Sequence, residues 1–151
     1  MTLDKLPLYW EMYLHEVAQY SGKDYDADAA RGLYVALDSV PIVDKTPLTE
    51  DGETVGFMFT MDYKPTNALF ILDVFVVPAS RRKGIAKRAI KEAIKQETEK
   101  IVFSINAGNP AAQFFADLMA DVGFVYEAYS QTNDAEFGAT MEYQYTRGKA
   151  N

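Results

Sequence analysis

The sequence predicts an α/β (α+β) fold: a mixed sheet with helices packed on it, its elements in the order ααβββαβαββ. Three observations predict it. Apolar residues recur at helical spacing in four stretches, and alternate or run together in the stretches between them. A basic, glycine-containing loop joins an apolar strand to an amphipathic helix, as in a strand-to-helix unit. No internal repeat, low-complexity tract or long linker interrupts the 151 residues. One domain over 1–151 is therefore expected, large enough to bury about two-thirds of its unfolded surface.

The elements follow in order. From Leu6 to Tyr20 the residues Leu6, Trp10, Tyr13, Leu14 and Val17 share one helical face, and Ser21-Gly22 ends it. A second helical stretch runs from Asp26 to about Leu37, capped by Asp26 or Asp28 and broken by Val40-Pro41. Pro47–Glu50 and Glu53–Met61 read as a hairpin across Asp51-Gly52, with Val55, Phe57, Phe59 and Met61 alternating. Lys64-Pro65-Thr66-Asn67 is a turn, and Ala68–Val77 is a buried central strand. After the basic loop, Ile85, Ala86, Ala89, Ile90, Ala93 and Ile94 make a helical stripe. Ile101–Asn106 is a short strand. Asn109-Pro110 reads as a cap and first-turn proline of a helix carrying Ala112, Phe115, Met119 and Val122, stopped by Gly123. Phe124–Tyr129 and Ala139–Thr146 close the sheet.

Composition limits the function. With no cysteine, disulfides, thiolate metal sites and a cysteine nucleophile are excluded. No apolar run reaches the roughly 20 residues of a membrane span, and the first residues lack a signal peptide's pattern. A soluble, cytoplasmic protein is expected, with no membrane partner. The net charge is −7, and residues 1–62 hold twelve acids against four bases. Such a chain is a poor nonspecific nucleic-acid binder, because phosphate neutralisation supplies most of that affinity.

Against this background, seven of the fifteen Lys and Arg residues fall between Arg81 and Lys95. They gather around Arg81-Arg82-Lys83-Gly84-Ile85-Ala86, directly after the strand. Unpaired N–H groups at a helix start, the positive end of its dipole and nearby cations together suit a polyphosphate. Gly84 lets the backbone approach closely, and Ala86 is small. The stripe has no interleaved aromatics, which disfavours nucleic acid. A phosphorylated cofactor is the reading these residues favour.

Three segments resemble the GNAT superfamily of acetyl-coenzyme A-dependent N-acetyltransferases. Arg81, Gly84 and Ala86 match its Arg/Gln-x-x-Gly-x-Gly/Ala signature. Leu72-Asp73-Val74-Phe75-Val76-Val77-Pro78 is similar to the strand before it in diamine acetyltransferase-like members. Asn109-x-x-Ala112 with Gly123-Phe124 is similar to the family's second motif. The resemblance covers about residues 53–128. It implies a mixed, mostly antiparallel sheet flanked by helices, with acetyl-CoA (coenzyme A) as cofactor. Arg81, Arg82, Lys83, Gly84, Ile85, Ala86 and Lys87 would hold the phosphates, Arg82 and Lys83 being the more solvent-facing. The pantetheine amides would pair with the strand edge at Val74, Phe75 and Val76. Asn109 and Phe115 would lie along the pantetheine arm, although Asn109 serves equally as a plain helix cap.

Acetyl transfer to an amine requires a neutral amine, a polarised carbonyl and a proton for the departing thiolate. Asp73 is the one acid in its strand and matches an acidic position beside the active site of diamine acetyltransferase-like relatives. It would take the ammonium proton or hold the ammonium; a structural hydrogen bond is the other reading. Many relatives protonate the thiolate with a tyrosine that corresponds here to Ala116, counted from Asn109, or to Met119, counted back from Gly123. Neither carries a proton. Tyr126, Tyr129, Tyr143, Tyr145 or water could substitute, or the protein could bind acyl-coenzyme A as a non-catalytic sensor or scaffold.

His15 has no triad companion and reads as a surface or packing residue. Tyr9, Trp10, Tyr13 and Tyr20 read as core or lid. In the family the first two helices wall the acceptor pocket. Aromatics there, with Glu11, Glu16, Asp24, Asp26 and Asp28, imply a cationic small molecule or a protein amine as acceptor. With no cysteine to carry the acyl group, transfer would be direct. A homodimer remains open.

Overall fold

The computed structural model describes residues 6–21, 28, 43–106, 109–134 and 138–148. Helix α1 (Leu6–Ser21) precedes strands β1 (Val43–Glu50), β2 (Glu53–Tyr63) and β3 (Ala68–Val76). Then come α2 (Ile85–Ala93), β4 (Lys100–Asn106), α3 (Ala112–Asp121), β5 (Phe124–Asp134) and β6 (Gly138–Arg147). The expected helix from Asp26 to about Leu37 lies outside the described residues, apart from helical Asp28. No helix among the described residues is long and apolar enough to cross a membrane.

The strands form one sheet in the order β1-β2-β3-β4-β6-β5. Only β3 and β4 run parallel; every other pair is antiparallel. This is the mixed, mostly antiparallel sheet that was expected. Strand β1 starts at Val43 rather than Pro47. Pro47 does not break it because β1 is an edge strand, where a missing N–H costs no ladder bond on the open side.

The two faces carry separate cores. On one, Ile85 and Ile90 of α2 and Phe115, Leu118 and Met119 of α3 pack on Leu69, Ile71, Ile101 and Phe103. On the other, Leu6, Tyr9, Trp10 and Leu14 of α1 pack on Phe57, Phe59 and Phe75. The second core is mostly aromatic: Trp10 stacks on Phe59 at 5.6 Å, and Tyr13 meets Phe57 edge-on at 5.6 Å. Such pairs add about 0.5–1.5 kcal/mol each beyond burial, which anchors α1 at this position over the sheet.

Two irregularities shape the sheet centre. The parallel pairing joins only Ala68–Ile71 to Lys100–Phe103. Beyond it β3 continues with β2 as far as Val76, and β4 continues with β6 as far as Asn106, so the two strands part. The second irregularity is a bulge: Thr60 pairs with Ile71 and Phe59 with Asp73, leaving Leu72 as the extra residue. Leu69 and Ile71 face the α2/α3 core, yet after the bulge it is Val74 and Val76 that do so. Strict alternation would have sent Asp73 into that apolar core. The extra residue turns it to the α1 side instead.

Candidate functional site

The loop after β3 reaches α2 through two left-handed residues, Arg82 at φ 64° and Gly84 at φ 77°. For a non-glycine such as Arg82 this costs about 1 kcal/mol. The first bond of α2 runs from the Arg88 N–H to the Gly84 carbonyl at 3.0 Å. The N–H groups of Ile85, Ala86 and Lys87 precede it and have no partner within the helix. All three residues line a cavity of about 580 Å³.

Most cations of the basic stretch are already committed. The Arg81 guanidinium donates to the Val76 carbonyl at 2.7 Å and pairs with Glu16 of α1. Lys83 pairs with Glu50 at 2.7 Å, and Ser80 donates to the same carboxylate at 2.9 Å. Lys91 and Lys87 reach Asp121 at 2.8 and 3.5 Å, and Lys95 reaches Asp62 at 2.8 Å. Among the described residues no acid pairs with Arg82, which lines the cavity. The residues expected at the phosphates therefore differ in their pairing. Arg82 is available, Arg81 braces the loop, and Lys83 is held at Glu50 outside the cavity wall.

The parted strands supply the other half of the site. The Val77 N–H bonds the Val55 carbonyl at 2.9 Å, which fixes the alternation along this end of β3. Val74 and Val76 therefore turn their N–H and C=O groups away from β2, towards the side β4 has left, while Phe75 turns its own towards β2. All three line the cavity. Beyond the parallel pairing that edge is open, but Phe75 contributes its ring and not its backbone, and Arg81 already donates to the carbonyl of Val76.

A second cavity, of about 310 Å³, opens where β3 and β4 diverge. Tyr13, Val17, Val74, Asn109, Ala111 and Phe115 line both cavities and mark their junction. Asn109 also accepts the Ala111 N–H on its side-chain oxygen at 2.9 Å, which closes a turn ahead of α3 and does not cap it: the helix starts at Ala112 with Ala111 as its N-cap, so the expected cap at Asn109 and first-turn proline at Pro110 both lie before the helix. Asp73 is the only charged side chain among the described residues lining the second cavity. It accepts a hydrogen bond from the Tyr13 hydroxyl at 2.7 Å. Burial pushes the Asp73 carboxyl up to about 7, against the pull of that hydrogen bond. Burial, and then the Asp73 charge, push the Tyr13 phenol well above the usual tyrosine range.

The other positions named as proton sources lie elsewhere. Met119 is fully buried in the α2/α3 core, and Ala116 lines neither cavity. Tyr126 and Tyr129 are exposed on β5, while Tyr145 and Tyr143 pack beside Phe103; none lines either cavity. His15 is exposed and outside both. Asp24 and Asp26 lie outside the described residues. Tyr13, assigned above to core or lid, packs against the α1 core and also bonds Asp73 where the two cavities join. Its one signal was that a lone acid in an apolar strand needs a donor.

The family model for the acetyltransferase (GNAT) family matches residues 6–119, more than half of the chain. The chain belongs to the GNAT acetyltransferase family. No curated protein matches it, and its likeness to solved GNAT structures is one of fold. Spermidine N-acetyltransferase from Vibrio cholerae, in complex with CoA and spermine, is 14% identical with a TM-score of 0.64, covering 97% of this chain and 92% of that one. The yncA protein of Salmonella typhimurium, solved with its cofactor acetyl-CoA, is 17% identical with a TM-score of 0.63, covering 100% and 93%. Ribosomal-protein-alanine N-acetyltransferase from Brucella melitensis is 18% identical with a TM-score of 0.62, covering 97% and 96%.

As a GNAT acetyltransferase the protein uses acetyl-coenzyme A as the acyl donor and an amine as acceptor. Its residues fit that donor. The α2 N-terminus and Arg82 suit phosphates, and the open groups of Val74 suit an amide-bearing arm. The larger cavity runs between them. The donor would supply an activated acetyl group; where the two cavities join, the chain places Tyr13, hydrogen-bonded to Asp73. Of the two readings left open by the sequence, enzyme or silent binding module, family membership selects the enzyme.

Proposed function

We propose that this acetyltransferase acts on a small primary amine with one positive charge and an apolar, preferably aromatic, body. The observation that carries the reading is the second cavity: one carboxylate, Asp73, set among Trp10, Tyr13, Phe103 and Phe115. A single half-buried carboxylate pairs one ammonium, and aromatic walls favour a cation and the flat group attached to it. At about 30 Å³ for a water-sized group, a volume of about 310 Å³ holds roughly ten heavy atoms. A polyamine of the kind seen with the Vibrio cholerae enzyme carries further charges, for which the described wall offers no second acid.

In this reading Asp73 holds the ammonium and takes its proton. A carboxyl pushed up to about 7 accepts a proton near neutrality more readily than an exposed carboxylate does. Phosphate contacts come from Arg82 and the N–H groups of Ile85, Ala86 and Lys87, with Gly84 supplying the turn. Val74, Asn109 and Phe115 line the path of the arm. The likeness to diamine acetyltransferases is then one of strand pattern and not of acceptor.

The test is a thiol-release assay with phenethylamine, spermidine and a lysine-containing peptide, after calorimetry has established that acetyl-coenzyme A binds. Phenethylamine should be preferred over spermidine by at least about 10-fold in kcat/KM, the scale of one mispaired charge. Preference for spermidine or the peptide would overturn the acceptor assignment.

A further inference from the structure

We propose that Tyr13, on α1, protonates the departing thiolate, recharged by the proton that Asp73 takes from the amine. The inference rests on the functional reading above and adds to it the missing acid. Transfer must occur where donor and acceptor cavities meet, and among the described residues Tyr13 is the only side chain at that junction with a proton to give other than the amide of Asn109. Its hydroxyl lies 2.7 Å from the Asp73 carboxylate. The two positions where a tyrosine was expected on α3, Ala116 and Met119, do not reach either cavity.

The proton movements balance. Asp73 takes one proton from the ammonium, freeing the nitrogen lone pair. The new C–N bond forms at the acetyl carbonyl carbon, and the C–S bond breaks with its electron pair on sulfur. Tyr13 gives its hydroxyl proton to that sulfur and receives the proton held by Asp73. Asp73 is a carboxylate again and Tyr13 a phenol. The second proton of the amine nitrogen passes to water. The sum is ammonium plus thioester giving amide, thiol and one released proton.

The pairing also explains why the two groups are useful together. Desolvated and beside a carboxylate, Tyr13 is a poor acid alone, since its phenolate is disfavoured on both counts. Giving a proton while receiving one avoids the phenolate. While Asp73 is ionised the phenol points its proton at Asp73, so it is released towards sulfur only after Asp73 has been loaded. Leaving-group protonation is thereby tied to deprotonation of the amine. The charged groups beside the pair are Glu16 on α1 and Arg81 from the loop, bound to each other. From β2 it meets the ring of Phe57, and α3 and β4 present Phe115 and Phe103.

The experiment uses the full chain with acetyl-coenzyme A and phenethylamine. Tyr13→Phe should lower kcat about 100-fold, the low end for general acid catalysis because a thiolate leaves tolerably well. Coenzyme A affinity should change less than about two-fold. The discriminating variant carries 3-fluorotyrosine at position 13, nearly isosteric and more acidic. Its alkaline limb of kcat against pH should shift to lower pH, which a packing role would not cause; it also serves if Tyr13→Phe fails to fold. A Tyr13→Phe enzyme retaining more than a third of kcat, or an unmoved limb in the fluorotyrosine enzyme, overturns the relay while leaving the acetyltransferase reading standing. Absence of any turnover by the unsubstituted protein, with acetyl-coenzyme A bound, rejects the acceptor reading and the relay with it.

Discussion

Arg81 donates its Nε proton to the carbonyl oxygen of Val76 at 2.7 Å, tying the basic loop to the last residue of the open strand edge. The same guanidinium lies 5.5 Å from the centre of the Phe75 ring and pairs with Glu16. One planar fork therefore joins loop, strand and α1. A lysine keeps the charge but not the fork. Arg81→Lys should weaken coenzyme A binding about 10-fold, equivalent to one charge-assisted hydrogen bond, and lower Tm by a few degrees. Calorimetry and a thermal melt check both; unchanged values would mean the brace is idle.

Arg82 and Lys83 are neighbours with opposite commitments. Lys83 is spent on Glu50, whereas Arg82 lines the cavity with no acid against it among the described residues. Arg82→Ala should cost about 10-fold in coenzyme A affinity, and the loss should shrink as salt screens the interaction. Lys83→Ala should cost less than about three-fold, since its ammonium is held at Glu50 outside the cavity wall and an exposed pair contributes little. Equal losses would return Lys83 to the phosphate site.

Much of this was legible in the residues. The Arg81–Ala86 segment between an apolar strand and a helical stripe marked the turn into α2, because glycine at a left-handed helix start is a local requirement. Asp73 stood out as an acid among aliphatics. What could not be read was anything set by pairing between distant segments. The bulge at Leu72, which decides the face on which Asp73 lies, depends on the register of β2 against β3. The commitments of Lys83 to Glu50 and Arg81 to Glu16 span 33 and 65 positions. Among four aromatics on α1, nothing local distinguished Tyr13 as the one meeting Asp73. Pro47 misled because an edge strand and a strand end look alike from one sequence.

Two glycines separate two kinds of constraint. A Cβ on Gly56 would lie 2.0 Å from the backbone oxygen of Phe75, so β2 and β3 would have to move apart beside the open edge. A Cβ on Gly84 would meet nothing within 4 Å; only its φ of 77° resists substitution. Gly56→Ala should destabilise by about 3 kcal/mol, as overpacking does. Gly84→Ala should cost about 1 kcal/mol of stability and weaken coenzyme A binding. Urea titrations rank the two, and the reverse order would contradict the geometry.

The Asp73 carboxyl gives a prediction whose sign runs against the usual aspartate. Its folded value of about 7 lies above the ordinary 3.8, so folding disfavours the charged form. Below pH 3.8 both folded and unfolded chains hold the proton and there is no penalty. Between pH 3.8 and 7 the unfolded chain loses its proton while the folded one keeps it, and stability falls. Above 7 the penalty is complete, up to about 4 kcal/mol at 1.36 kcal/mol per pH unit. Asp73→Asn removes the penalty and still accepts the Tyr13 hydroxyl. It should therefore match the unsubstituted protein near pH 4 and exceed it at pH 8, while losing most of its turnover, with coenzyme A affinity little changed. In the unsubstituted enzyme the same group should appear as an acid limb near pH 7 in kcat/KM, absent from the variant. Urea titrations at the two pH values and a pH–rate profile test the pair of claims; a variant less stable at pH 8 would mean the carboxylate is well solvated and not poised to hold a proton.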